Sequence, residues 1–298
     1  MNKEHNFISA VVYLGNCADE NIRFFDVLHQ QLEQHFQHYE IIGVVPGKTV
    51  DTAPVREWAK QKASQPITLL HMSPNQTQEQ CMNAGLDVSI GDYIYEFDTT
   101  ELPYDADMIW KAYEVAVEGS DIVTVCPEHS RNGIYYRLFN RFSRTEHQIR
   151  TDLFHLLSRR ALNRVHAINE NLPYRKAAYA TCGLKMTQLT FPGSVQRRGS
   201  ATLDLASDSL VLYTNFGYKF SIGITLLMLL SAIAELIYTL VIWLTGRPVS
   251  GWTTTMFVLT AGMTGIFAVL AIILKFLTLL LKLVFQRQHY FVESVEKL

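Results

Sequence analysis

In QCMNAGLDVSIGDYIYEFD, residues Gln80–Asp98, a helical pattern gives way within three residues to a strand. The spacing predicts a helix near Thr77–Ser89, a turn at Gly91, and a strand over Asp92–Phe97 that ends on Asp98. The same unit recurs on both sides. Upstream, FISAVVYL (Phe7–Leu14) reads as a short buried strand and Gly15-Asn16 as a turn. A helix then starts at Ala18–Asn21, with Ile22, Phe25, Leu28 and Leu32 at helical spacing. YEIIGVV (Tyr39–Val45) is a second strand, broken by Pro46-Gly47; a helix around Val55–Ala63 and a strand at Ile67–His71 follow. Downstream, a helix at Ala106–Glu118 and a strand at Asp121–Cys126 continue the alternation. Strands and helices joined by such short links predict an α/β domain, a mostly parallel sheet with helices on both faces. Ligands bind such sheets beyond the carboxyl ends of the strands, here Gly15-Asn16, Val45–Lys48, His71–Pro74 and Asp98–Glu101.

Composition narrows the function classes. A formal net charge of -2 argues against nucleic acid as a partner, which needs a concentrated basic patch. Cys17, Cys81, Cys126 and Cys182 form no C-x-x-C pair, so reduced core thiols fit better than a zinc site or disulfide framework. Met1–Asn6 is polar and lacks the apolar core of a signal peptide, which predicts that the soluble domain starts on the cytoplasmic side.

The charge distribution is uneven. Phe220–Leu244 carries one charged residue, Glu235, and Met256–Leu274 carries none. A bilayer core needs about 20 mostly apolar residues per helix, so each run is long enough to span. The seven-residue link Thr245–Gly251 allows only a helical hairpin, with Trp243 and Trp252 as interface aromatics. Arg197, Arg198 and Lys219 precede the first run, and Lys275, Lys282 and Arg287 accompany or follow the second. The positive-inside rule then puts both termini in the cytoplasm and the turn outside, and the expected localisation is the plasma (inner) membrane as a multi-pass protein. The competing reading is a buried hairpin in a soluble core. Glu235, costly in lipid, is expected to be protonated, paired or facing protein, or else to be a neutral passenger. The expected organisation is a soluble domain over 1–200, a juxtamembrane amphipathic segment over 201–218, the hairpin over 219–285 and a cytoplasmic tail over 286–298.

FISAVVYLGNCADENI, YEIIGVVPGKTVDT, QCMNAGLDVSIGDYIYEFD, IYYRLFNRFS, LFHLLSRRALNRV, YRKAAYATCGLK and the C-terminal QRQHYFVES follow one another in order. This series resembles the GT-A fold family 2 glycosyltransferases, above all the polyprenyl-phosphate glycosyltransferases that include dolichol-phosphate mannose synthase-like proteins. The resemblance covers nearly the whole chain and implies a hexosyltransferase of the cell envelope. Its substrates would be a nucleotide sugar and a polyprenyl (undecaprenyl-type) phosphate lipid. Homo-oligomers are common among the proteins resembled. By the same resemblance Tyr13, Gly15, Asn16, Val45, Gly47, Lys48 and Asn75 would bind the nucleotide sugar, and Asp98 and Asp152 would be catalytic.

The acidic motifs of that family are degenerate here. Its V-D-D-G-S becomes Val44-Val45-Pro46-Gly47-Lys48, and its Asp-x-Asp becomes Asp98-Thr99-Thr100. Leu153 stands where a third acid is usual, with Asp152 beside it. Mg²⁺ or Mn²⁺ on Asp98, with Glu96 or Glu101, is one expectation. Metal-independent action with cations neutralising the leaving diphosphate is the other. Arg131, Arg137, Arg141, Arg159 and Arg160 are the candidates for the acceptor phosphate. Arg137, Arg141 and Arg144 line one face of an amphipathic helix predicted over Asn132–Arg150, opposite Ile134, Tyr135, Leu138, Phe139 and Phe142. Tyr174-Arg-Lys176 resembles the family's segment leading to the membrane, or is simply solvated charge. The alternative to an enzyme is a catalytically inactive glycosyltransferase-like subunit that scaffolds or regulates a partner enzyme.

Overall fold

The computed structural model describes residues 3–47, 50–128, 140–141, 149–168, 174–193, 216–246, 251–284 and 290–298. They divide into two units: Met1–Ala206 with Gln286–Leu298, and Ser207–Phe285.

The first unit is built on strands β1 (Ile8–Tyr13), β2 (Tyr39–Val45), β3 (Ile67–Met72), β4 (Tyr93–Phe97), β5 (Ile122–Pro127), β6 (Phe154–Ser158), β7 (Met186–Phe191) and β8 (Val292–Lys297). Helices α1 (Ala18–His35), α2 (Ala53–Lys62), α3 (Gln78–Val88), α4 (Asp107–Val117), α5 (Arg159–Ile168) and α6 (Arg175–Thr181) connect them. One eight-stranded sheet runs β7-β5-β6-β4-β1-β2-β3-β8. The pairs β1/β2, β1/β4, β2/β3 and β5/β7 are parallel, whereas β6 runs antiparallel to both β4 and β5 and β8 antiparallel to β3.

The apolar runs that predict β1, β2, β3, β4 and β5 form the centre of this sheet. A parallel strand covered by helices on both faces reads as a continuous hydrophobic segment, and the residues of ISAVVY are buried but for the last. Phe24, Phe25, Leu28 and Leu32 of α1 pack below them with Tyr95, Phe97 and Ile109. Helix α3 opens with a capping box: Thr77 Oγ1 accepts from Gln80 N, and Gln80 Oε1 accepts from Thr77 N.

Gly91 makes the turn into β4 possible. A Cβ there would sit 2.5 Å from the backbone nitrogen of Ser9, and Gly91 N donates to Ser9 Oγ at 2.7 Å. Gly91→Ala should therefore lower stability by about 1–3 kcal/mol, because backbone rather than a pliable side chain must yield. A thermal melt of the variant unchanged from wild type would show that the β1–β4 edge accepts a methyl group at this turn without cost.

The C-terminal segment is not a loose tail. VESVEK enters the sheet as β8, pairing Thr68 with Lys297 through Met72 with Val292. Glu296 accepts from Arg56 at 2.9 Å and lies 3.2 Å from His71 Nε2. These groups are partly exposed and contribute little; the backbone ladder covers an otherwise open edge.

The second unit is a pair of long helices, α7 (Phe216–Thr245) and α8 (Trp252–Val284). Gly223–Thr245 and Thr254–Leu274 are long and apolar enough to cross a membrane. Their large side chains, among them Leu227, Leu240, Val258 and Ile266, are exposed. Glu235 lines a groove between the two helices with Ser231, Thr260 and Thr264, so it faces protein of its own hairpin. The expected juxtamembrane segment lies outside the described residues except Phe216–Tyr218, which belong to α7.

Candidate active site

Strand order places a topological switch between β1 and β4. From β1 the chain builds outward through β2 and β3, then returns to add β4 on the other side. A crevice opens at the carboxyl ends of such a pair. Tyr13 ends β1 and Gly15 lies in the turn after it, and Asp98 follows β4. The two turns meet: a Cβ on Gly15 would lie 3.7 Å from Thr100 Oγ1. Asn21 holds the first turn, accepting from Gly15 N at 3.1 Å and donating to Gly15 O at 2.9 Å. Tyr13 is pushed up to about 12 by burial and then by the charges of Cys81 and Asp98.

Because β6 is antiparallel, it begins at this same edge, with Phe154 opposite Phe97. Asp152, two residues earlier, is thereby brought beside Asp98. Helix α6 closes over both. Arg175, with no exposed surface, donates from Nη2 to Asp98 Oδ1 at 2.6 Å, pairs through Nη1 with Glu79 at 3.0 Å, and bonds Glu96 through Nε. Lys176, 4% exposed, bonds Asp152 through Nζ and lies 3.5 Å from Asp98 Oδ2. Tyr179 donates to Glu96 Oε2 at 2.7 Å, and Gln78 Nε2 donates to the carbonyl of Asp98 at 2.5 Å. His155 places Nε2 2.9 Å from Asp152 Oδ2 but off the ring N–H axis, and neither ring nitrogen has a hydrogen-bond partner among the described residues.

Among the described residues, four buried carboxylates thus face two permanent cations. Burial works against the Arg175 charge, but Glu79, Glu96 and Asp98 together outweigh it and hold the guanidinium well above its ordinary value. Burial raises Glu79, against the pull of Arg175 and with the push of Asp98 and Glu96. Burial alone would lower His155, yet the Asp152 carboxylate beside it raises it overall. A raised histidine stabilises the fold fully below its unfolded value near 6.5 and loses that contribution as pH rises through the folded value. The stability advantage of wild type over His155→Gln should accordingly shrink as pH rises above about 6.5, read from melting temperatures across pH. An advantage that grows with pH would reverse the assignment.

Val45 ends β2 buried, and Gly47 adopts a φ of +61° beside Pro74. Asn75, also at positive φ (66°), and Asn16 are exposed on the turns at this edge. Lys48, Arg131 and Arg137 lie outside the described residues, as does most of the predicted Asn132–Arg150 helix. Arg141 is helical and exposed. Arg159 and Arg160 sit at the opposite edge, because Ser158 pairs with Tyr93 at the amino end of β4. Arg159 donates to the carbonyls of Gly91 and Ser89, both at 2.9 Å, and Arg160 grips Asp121 with two bonds. Strand direction thus removes this pair from the crevice. Arg175 and Lys176, which the sequence pattern assigns to membrane-leading or solvated charge, are buried, and among the described residues they are the cations that meet the strand-end acids; a local pattern does not reveal that position.

The donor set does not fit a divalent ion on Asp98. Both of its carboxylate oxygens face cations of α6, and no group of three or more His, Cys, Asp or Glu side chains is arranged to hold a metal among the described residues.

Among solved structures, the chain is similar to a mannosyltransferase from Pyrobaculum calidifontis crystallised with GDP-mannose and Mn²⁺. Identity is 16%, the TM-score is 0.51, and the match covers 70% of this chain and 63% of that one. The first unit has a GT-A fold. Glucosyl-3-phosphoglycerate synthase from Mycobacterium tuberculosis matches at 11% identity and a TM-score of 0.48, over 69% of this chain and 78% of its own. Mannosyl-3-phosphoglycerate synthase from Rubrobacter xylanophilus matches at 18% and 0.45, over 69% and 72%. No protein-family model and no curated protein matches the chain. In GT-A terms, the cluster of Asp98, Asp152, Arg175 and Lys176 lies at the carboxyl edge of the sheet, beside the turn after β1.

Proposed function

We propose that this chain is a membrane-anchored glycosyltransferase that moves a sugar from a nucleotide-sugar donor to a polyprenyl phosphate at the cytoplasmic leaflet. One observation carries the reading: Asp98 and Asp152, 54 residues apart, converge on the ammonium of Lys176 at the β1/β4 switch point. Burying so many ionised groups in one place is expensive, and such clusters concentrate at functional sites.

The chemistry asks little of a base. A phosphate monoester is mostly dianionic at pH 7, so its oxygen attacks the anomeric carbon directly. The bond from that carbon to the diphosphate oxygen breaks, its electron pair leaves with the nucleoside diphosphate, and no proton need be removed. What remains is to neutralise the departing charge. The anchor has support of its own. Strands β1–β7 and β8 share one sheet although α7 and α8 separate them in sequence. A chain that leaves and rejoins one soluble sheet crosses a membrane an even number of times, in keeping with a hairpin and with both ends in the cytoplasm.

Purified full-length protein in detergent, given labelled UDP- and GDP-sugars with polyprenyl phosphate, should form a product that partitions into organic solvent. Folded protein that yields none with any donor would refute the reading. A second reading, an inactive subunit that scaffolds a partner enzyme, is favoured by the acid-free Val45-Pro46-Gly47 turn and by the internal pairing of Asp98. It predicts neither product nor binding of nucleoside diphosphates.

A further inference from the structure

We infer that Lys176 takes the place of a divalent ion and is the cation on which the diphosphate of a nucleoside-diphosphate donor rests. The inference rests on the reading that the crevice accepts a nucleotide sugar. Carboxylates at a nucleotide site ordinarily hold a cation that in turn holds phosphate oxygens. Here two carboxylates from different strand ends, Asp98 and Asp152, already hold one, and it is covalently part of the chain.

Arg175 cannot serve. Its side chain is fully buried and its three nitrogens are committed to Glu79, Glu96 and Asp98. It acts as a positioning residue, leaving Asp98 satisfied on one oxygen and turning the other toward Lys176. Successive helix residues point about 100° apart, so α6 sets Arg175 on the β4 acids and Lys176 on the acid that precedes β6. A lysine ammonium is a compact point charge with rotatable donors, closer to a metal ion than a guanidinium fork is. A cation so held needs no reorganisation as charge develops on the leaving diphosphate.

Isothermal titration of the full-length protein in detergent with UDP and GDP tests this without turnover. Wild type should bind one of the two with the same affinity in EDTA as in Mg²⁺ or Mn²⁺. Lys176→Met should weaken that binding roughly 10- to 100-fold, the loss of a charge-assisted hydrogen bond, while binding of the free nucleoside is unchanged. Lys176→Arg should recover much of the loss. A lysine that merely supports the fold would weaken nucleoside and diphosphate alike. Should binding require the divalent ion, the inference falls and the transferase reading stands. Should neither nucleotide bind with or without metal, both fall. Metal-free binding without any sugar transfer would keep the inference and remove the transferase.

Discussion

Arg175→Met should destabilise the sheet-containing unit by about 3–5 kcal/mol, the cost of removing one partner from a buried ion-pair network. The guanidinium is fully buried and joins α6 to α3 through Glu79 and to the β4 end through Glu96 and Asp98. Methionine matches much of its length and packs well, so the loss isolates charge rather than volume. Without the cation, three carboxylates face each other in a low dielectric, and they must protonate, admit water or push α6 away. The measurement is urea denaturation of the full chain in mild detergent, followed by fluorescence. Trp58 and Trp110 report on the sheet domain; Trp243 and Trp252 lie in the hairpin unit. Adding Glu96→Gln to Arg175→Met should recover part of the loss. A single-variant loss below about 1 kcal/mol, the scale of an exposed pair, would mean that the network is solvated.

Asp98→Asn should do the reverse: little change in stability, and a fall in sugar transfer of roughly 10²- to 10³-fold, the scale for one preorganised electrostatic group. Among the described residues, acids outnumber permanent cations in the cluster by four to two. Neutralising one acid therefore moves the cluster toward balance, whereas neutralising Arg175 moves it away. Asparagine keeps an oxygen for the Arg175 donor, so packing survives. The Lys176 ammonium, however, loses one of the two carboxylates that hold it in place. A melting temperature near wild type together with lost transfer separates a functional acid from a structural one. Activity that survives Asp98→Asn would remove Asp98 from the mechanism.

Much of the fold was legible because it rests on local regularities. Strands β1 to β5 are apolar runs, helices α1 to α4 have clear spacing, and both α7 and α8 stand out by length and hydropathy. The later strands were not. LFHLLSRRALNRV contains β6 and the start of α5 without a turn residue between them, since Ser158 ends the strand and Arg159 opens the helix. β8 is half charged, and VESVEK becomes a strand only because the free edge of β3 supplies its backbone partners.

The candidate site divides along the same line. Asp98 and the Gly15 turn were marked from sequence, because the end of an apolar strand is a local event and the carboxyl edge follows from βα alternation. Arg175 and Lys176 were not, since an Arg-Lys pair ordinarily lies in solvent. The meaning of Arg175 came from residues 77, 79 and 96 positions away, and that of Lys176 from one 24 positions away. Arg159 and Arg160 show the converse, because the reversed direction of β6 carries them to the far edge of the sheet. Sequence by itself determined the alternating elements, the helical pair and the strand ends, all set by short-range periodicity and chain stiffness. Tertiary structure alone decided which cation meets which acid, because pairing buried charges depends on strand order and direction, and neither is written in any local stretch.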